Sequence, residues 1–153
     1  MTRTFRTAGL RFVALAAIAL IVLPARDVRS QGDKPSPVEG AWKQVEQKNG
    51  DAQEYQKFPE NMEMINLITG GRFVWTVVSQ GRVVSMAGGK YTADGDKYAE
   101  IIEYVAGQGV PESFVGSTFD FTCKVDGNTL HKVGTIKVNG QDYKIDEKWE
   151  RCK

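Results

Sequence analysis

Pairs of residues that favour tight turns recur at short intervals along this chain and divide it into short segments. These pairs are Asn49-Gly50, Gly70-Gly71, Gln80-Gly81, Asp94-Gly95, Gly107 to Gly109, Asp126-Gly127 and Asn139-Gly140. Asn-Gly and Asp-Gly suit type I′ turns because both central residues take positive φ at little cost. The segments between the turns are rich in β-branched and aromatic residues and alternate in polarity, a pattern typical of strands joined by hairpins.

The pattern predicts eight strands. They are Val38–Gln47, Met62–Thr69, Arg72–Ser79, Arg82–Thr92, Lys97–Ala106, Thr118–Val125, Thr129–Val138 and Asp142–Arg151. Two connections are longer: Asp51–Pro59, with room for one helical turn, and Gln108–Gly116, so helix is a minor component. An even set of consecutive hairpins favours an all-β, antiparallel up-and-down β-barrel over a Greek-key sandwich, because closure pairs the two edge strands.

Residues 1–30 have the features of a signal peptide. Three arginines precede the twelve-residue apolar run Phe12–Leu23, which a proline ends. Twelve helical residues reach only about 18 Å, short of the roughly 30 Å hydrocarbon core, so an export signal fits better than a membrane span. We expect cleavage before Gln31, with Ala25 as the alternative; an uncleaved N-terminal anchor is the other interpretation.

The charge of the chain is unevenly distributed. The first thirty residues hold five arginines and one acid, so the remainder has a net charge near −3. A slightly acidic body is a poor nucleic-acid binder, and 41% hydrophobic residues are too many for disorder. We therefore predict a signal peptide (1–30), a flexible leader (31–37) and one exported domain (38–153), periplasmic or secreted, with no nucleic-acid partner and no stable membrane span after processing.

Alternation along the strands predicts which side chains face inward. One face of the last strand is wholly charged, so the inward set is Tyr143, Ile145, Glu147, Trp149 and Arg151. The inward set of the sixth strand is Phe119, Phe121, Cys123 and Val125. In the third strand, Phe73, Trp75 and Val77 share one face, and Val74, Thr76 and Val78 share the other. Glu147 and Arg151 need partners or water if buried, and one interpretation is that they pair near the barrel mouth.

Short motifs occur at both ends of the predicted strand series and near its middle. Gly40-Ala41-Trp42 opens the first strand and Trp149-Glu150-Arg151 ends the last, an arrangement that resembles the lipocalin and calycin barrels. Further stretches are similar to the central motif of small exported bacterial lipocalin-like domain proteins: Gly88-Gly89-Lys90-Tyr91, Asp94-Gly95-Asp96 and Tyr98 to Tyr104. The resemblance covers roughly residues 38–153, and the second and third short motifs of the larger lipocalins are missing.

The resemblance implies roles for particular residues. Gly40 and Trp42 would close the barrel floor, and Arg151 would cover the indole through a cation–π contact of roughly 1 kcal/mol. In the fifth strand, the resemblance places Tyr98, Glu100, Ile102 and Tyr104 inside.

The predicted function is binding of a small hydrophobic or amphipathic, lipid-like molecule inside the barrel, without a cofactor or metal. The predicted ligand-binding residues are Trp75, Tyr91, Tyr98, Glu100, Ile102, Tyr104, Phe119, Phe121, Tyr143 and Glu147. Aromatic rings would shield the apolar part of the ligand, and Tyr98, Glu100 and Tyr143 would orient its polar end. Two alternatives stay open: a filled barrel acting as an envelope interaction module, and an isomerase or cyclase that uses Glu100 or Glu147 as acid or base.

Two cysteines and one histidine complete the candidate residues. Cys123 and Cys152 both lie in the exported part, and we predict a disulfide between them, worth roughly 3.5 kcal/mol in the chain-entropy model. The alternative is two free thiols, with Cys123 a small core residue. His131 falls on the outer face of its strand, so it is predicted to be a solvated surface residue and not an axial ligand. A single histidine also supports no Ser-His-Asp arrangement, and no catalytic residue is assigned.

Overall fold

Nine β-strands run through residues 35–153, the part of the chain that this computed structural model describes. They are β1 (Gly40–Gln47), β2 (Gln56–Lys57), β3 (Met62–Thr69), β4 (Arg72–Ser79), β5 (Arg82–Asp94), β6 (Lys97–Gly107), β7 (Thr118–Asp126), β8 (Thr129–Val138) and β9 (Gln141–Arg151). The predicted signal peptide at 1–30 and residues 31–34 of the predicted leader lie outside the described residues. Within the described part, no helix has the length and hydropathy that crossing a membrane requires.

The eight long strands confirm the pattern predicted from the turn residues. Three have the predicted bounds, and the other five differ by no more than two residues at an end. Three hairpin turns have positive φ at both central residues, as a type I′ turn requires: Gly70-Gly71, Gln80-Gly81 and Asn139-Gly140.

The sheet closes into a barrel because β1 pairs with both β3 and β9. Trp42 lies opposite Asn66 of β3 on one side and opposite Arg151 of β9 on the other. The remaining long strands pair antiparallel with their neighbours in chain order. The predicted up-and-down closure is therefore confirmed, and each of the eight long strands has a neighbour on both sides.

The short strand β2 replaces the helical turn predicted within Asp51–Pro59, and that prediction is wrong. β1 pairs with β3 only as far as Lys43, so the last residues of β1 have no partner from β3. β2 supplies one, with Lys57 opposite Glu46. Backbone N–H and C=O groups need hydrogen-bond partners, which favours an extended segment here. The other long connection contains a 3-10 turn, Glu112–Phe114.

The barrel floor is built around Trp42, which is 1% exposed. Its indole nitrogen donates to the Val38 carbonyl at 2.7 Å. The guanidinium of Arg151 lies 4.1 Å from the indole centroid and donates to the Glu39 carbonyl at 2.8 Å, so it stacks on Trp42 as the lipocalin resemblance implies. Gly40 has φ +140°, and a side chain there would collide with the Arg151 guanidinium, so glycine is required.

The inward faces follow the predicted alternation in most strands. Phe121 and Cys123 of β7 are buried, as are Ile145 and Trp149 of β9 and Phe73 of β4. These side chains form one continuous hydrophobic core.

Candidate functional site

A cavity of about 110 Å³ lies inside the barrel. Its wall is mostly apolar and contains three ionisable side chains. The lining residues are Met64, Trp75, Ala87, Glu100, Ile102, Phe114, Phe119, Phe121, Lys132, Ile136, Ile145 and Glu147. An apolar wall with a few convergent polar groups is the usual composition of a small-molecule site.

The three ionisable side chains, Glu100, Lys132 and Glu147, form a buried triad. Lys132 Nζ lies 3.2 Å from Glu147 Oε2 and 3.7 Å from Glu100 Oε1. The residues are only 3%, 6% and 6% exposed in chain order. Register explains the contact: Lys132 on β8 is directly opposite Glu147 on β9, and it reaches past β7 to Glu100 on β6.

Two aromatic rings lie close to the Lys132 ammonium. Nζ is 4.8 Å from the centroid of Phe121 and 5.4 Å from that of Trp149. Both distances are within the range of cation–π attraction, which is stronger when the cation is removed from water. The carboxylates and the rings together hold a charged lysine in an otherwise apolar interior.

The triad shifts the protonation of its members. Burial raises the pKa of Glu100, and the nearby carboxylate of Glu147 raises it further, although Lys132 opposes both. Burial alone would lower the pKa of Lys132, but the two carboxylates outweigh it and raise this pKa above its ordinary value. Lys132 therefore stays charged at neutral pH and is unsuited to act as a nucleophilic amine.

Several buried polar atoms around the triad have no hydrogen-bond partner among the described residues. Glu100 Oε1 and Glu147 Oε2 are two of them, and each faces the Lys132 ammonium, at 3.7 and 3.2 Å. The Tyr98 hydroxyl is a third. Buried polar atoms of this kind call for explanation, because each unmet hydrogen bond costs about 1–3 kcal/mol.

Six of the ten predicted ligand-binding residues line the cavity. They are Trp75, Glu100, Ile102, Phe119, Phe121 and Glu147. Tyr91 and Tyr98 are buried beside the cavity without lining it: their rings are 5.6 Å apart, and the Tyr91 hydroxyl donates to Glu39 at 2.6 Å, at the floor.

Tyr104 faces outward, so its predicted inward position is wrong. The pairing of β5 with β6 runs from Gly88↔Tyr104 directly to Gly89↔Ile102, which leaves Glu103 as an extra residue in a β-bulge. The bulge moves Tyr104 to the outer face, where it is 43% exposed and its hydroxyl lies over Gly88. Tyr143 is also more open than predicted: it is 41% exposed at the rim, with its ring against Gly50.

Glu147 and Arg151 do not pair, contrary to one interpretation of their spacing. Glu147 lies beside Lys132 within the barrel, whereas Arg151 stacks on Trp42 at the floor. Their partners differ because Glu147 and Arg151 lie at different positions along β9, the first beside the cavity and the second at the floor.

Cys123 and Cys152 are free thiols, and the predicted disulfide is absent. In the sheet, Cys123 of β7 lies opposite Lys132 of β8, and Lys132 lies opposite Glu147 of β9. Cys123 is therefore at the same level of the barrel as Glu147. Cys152 is five residues further along the chain, or roughly 16 Å at 3.3 Å per residue. A disulfide requires Cα atoms within about 7 Å, so this register rules out the bond.

His131 lies on the outer face of β8, as predicted. Its Nε2 is 2.8 Å from Asp146 Oδ1, and the Tyr55 hydroxyl donates to the same oxygen at 2.6 Å. These contacts attach the connection before β2 to the outside of the barrel. Within residues 35–153, no three His, Cys, Asp or Glu side chains come together as a metal-binding set.

Six lining residues were not among the predicted ligand-binding residues: Met64, Ala87, Phe114, Lys132, Ile136 and Ile145. Lys132 and Phe114 are the two that matter most for the site. Lys132 carried a signal, since alternation places it on the same face as Leu130 and Ile136. Phe114 carried none, because it comes from the 3-10 turn and reaches the cavity by packing edge-to-face on Phe119, with ring centroids 5.0 Å apart.

Comparison with known proteins supports the fold. No protein-family model matches the chain, and no curated protein matches it. Among solved structures, it is similar to a lipocalin-like protein from Bacteroides uniformis, with a TM-score of 0.51 and 15% identity, covering 76% of this chain and 100% of that one. The chain therefore folds as a lipocalin-like β-barrel. At this level of identity, the likeness describes architecture alone.

Proposed function

We propose that this lipocalin-like barrel binds a small amphipathic molecule in its interior cavity. The main support is the combination of an apolar wall with three buried ionisable side chains, in which two carboxylates share one ammonium group. A solidly filled core has no use for such groups, whereas a binding site needs a few polar groups to orient its ligand.

The size of the cavity limits the ligand. Its volume of about 110 Å³ is below the roughly 150 Å³ that holds benzene in an engineered cavity, and corresponds to about three or four water molecules at ~30 Å³ each. A ligand of this size has only a short alkyl chain or a small ring.

A larger ligand would have to displace Phe114. This side chain forms part of the cavity wall, and the 3-10 turn that carries it has no fully buried residue. The turn is therefore the part of the wall that costs least to move, because few contacts are lost when it shifts.

We also propose that the barrel acts after export. The basic, apolar and proline-terminated pattern of residues 1–30 supports this proposal. N-terminal sequencing of the protein recovered from its native source tests it: a first residue near Gln31 is expected, and an intact Met1 would contradict it.

Ligand binding is tested by native mass spectrometry after incubation with a cell extract. A retained small molecule is expected for the unaltered protein. Ala87→Leu, which fills the cavity from a residue that is 1% exposed, should abolish retention. The control is Ala106→Leu on the outer face, opposite Met86, which should retain the molecule. No retained molecule, or equal retention by both variants, would contradict binding in the cavity.

A further inference from the structure

The charge of the triad is not balanced by the residues that face it. Two carboxylates and one ammonium carry a net charge of −1 when all are ionised. The other titratable groups around Glu100 are Tyr98, Tyr91 and Cys123, and burial raises the pKa of each, so they are neutral at physiological pH. One positive charge beside Glu100, supplied either by a proton or by a cationic ligand, therefore offsets the second carboxylate.

Hydrogen-bonding capacity points in the same direction. Glu100 Oε1 and Glu147 Oε2 share one cation, the Lys132 ammonium at 3.7 and 3.2 Å, and as carboxylate oxygens they can only accept while ionised, so each can take a further donor. A ligand that donates hydrogen bonds would satisfy them. An ammonium group supplies three donors, and a hydroxyl supplies one.

An anionic ligand fits this site poorly. It would raise the negative charge in a buried site, and it would compete with two carboxylates that already lie 3.2 and 3.7 Å from Lys132. A neutral ligand would leave the net charge unchanged. Of the three kinds of polar end, only a cation improves both charge and hydrogen bonding.

We propose that the polar end of the ligand is a protonated amine, held by Glu100 and Glu147, with its short apolar part against Phe119, Ile102 and Ile136. This inference rests on the proposed function, because it concerns the same cavity. The donor set, the net charge and the small volume select a short alkyl or small cyclic primary amine.

Binding of the amine is coupled to release of a proton. In the empty site, burial and Glu147 favour the protonated form of Glu100, against the opposing charge of Lys132. A bound ammonium brings a second positive charge and makes this proton unnecessary, so Glu100 loses it. Affinity for the amine therefore rises with pH until the free amine itself loses its charge.

The test compares three ligands of equal length: n-butylamine, 1-butanol and butyrate, titrated into the purified protein by calorimetry at pH 7.5. We expect n-butylamine to bind at least tenfold more tightly than 1-butanol, and butyrate not to bind. Titrations in two buffers with different ionisation enthalpies should show proton release with the amine and none with the alcohol.

Glu147→Gln should weaken n-butylamine at least tenfold and leave 1-butanol within twofold. Its matched control is Asp142→Asn, an exposed carboxylate on the same strand that pairs with Lys137, which should change neither affinity. If Glu147→Gln does not fold, the three-ligand comparison on the unaltered protein still decides. Equal affinity for n-butylamine and 1-butanol would overturn the amine assignment and leave the proposed function intact. Failure of all three ligands to bind would overturn the proposed function as well.

Discussion

Replacing Lys132 by methionine would remove the cation that lies between Glu100 and Glu147 and keep most of the side-chain volume. At an effective dielectric constant of about 20, the contacts of 3.2 and 3.7 Å correspond to about 5 and 4.5 kcal/mol of Coulomb attraction when both carboxyls are ionised. Much of this attraction is offset by the desolvation of three charges. The variant loses the attraction and keeps two desolvated carboxylates, so we expect a loss of about 3–5 kcal/mol in the free energy of unfolding at pH 8.

The loss should depend on pH in a defined direction. Lys132 opposes the rise in the pKa of Glu100 that burial causes, so without Lys132 this pKa rises further in the folded state. The folded protein then holds a proton that the unfolded chain has released. Stability then falls as pH rises from the ordinary range of glutamate through the raised folded pKa. The deficit of Lys132→Met should therefore be smaller at pH 5 than at pH 8, measured by urea denaturation at both.

Two further variants make this measurement specific. Lys137 is on the same strand and forms an ion pair with Asp142, in which the side chains are 73% and 68% exposed. Lys137→Met should therefore change stability far less than Lys132→Met. Adding Glu100→Gln and Glu147→Gln to Lys132→Met removes the unpaired charges and should restore most of the loss. A deficit below about 1 kcal/mol at pH 8, or one that is equal at both pH values, would refute the assignment of a charged triad.

Three other predictions concern the floor, the thiols and the outer surface. Trp42→Ala should cost about 3–5 kcal/mol in urea denaturation because it empties the barrel floor, and a loss under about 1 kcal/mol would contradict that role. A thiol reagent should modify only Cys152 in the folded protein and both cysteines in urea. The reason is that Cys123 is 4% exposed and burial raises its pKa to about 12. Two reactive thiols in the folded protein would contradict the buried position of Cys123. Burial raises the pKa of Asp146, but hydrogen bonds from Tyr55 and His131 outweigh it, so the net shift is downward. The ionised Asp146 therefore stabilises the fold at neutral pH, and this contribution is lost as pH falls below about 4. Asp146→Asn should consequently lose less stability than the unaltered protein between pH 5 and pH 3, and equal losses would argue against the contact.

The strands and their closure were predictable because turn chemistry and alternation are local signals. Each hairpin turn and each period-two segment is visible within about ten residues, and closure follows from the need to pair the edges. β2 was not predictable in this way. A two-residue strand has no period, and it forms because β1 extends past the point where its pairing with β3 ends.

The bulge at Glu103 shows where alternation fails as a guide to facing. Tyr98, Glu100 and Ile102 face inward as expected, and one extra residue then reverses the face of Tyr104. Nothing in the sequence of β6 itself marks the insertion. The face that a side chain occupies after a bulge depends on the partner strand, where Gly88 leaves space for the Tyr104 hydroxyl.

Only part of the candidate site was predicted from the sequence, for a related reason. Glu100 and Glu147 were identified as inward carboxyls, but the partner considered for Glu147 was Arg151, which is four residues further along the same strand. Lys132 was the correct partner because contacts inside a barrel run across strands, where register decides proximity. Alternation specifies which face of the sheet a side chain occupies, and only the register between strands specifies which residues lie side by side along the barrel.

The cost of the triad is itself an argument for a binding role. Its neighbours Phe121, Ile102 and Ile145 show that apolar side chains fit the same interior. Buried ion groups can often be replaced by apolar residues of similar volume with no loss, or with a gain, of stability. A barrel under selection for packing alone has no reason to keep two carboxylates that share one ammonium group, whereas a barrel that holds a polar ligand does. A triad-free variant that is as stable as the unaltered protein and no longer binds n-butylamine would separate these two roles, and one that loses stability but still binds would reverse this conclusion.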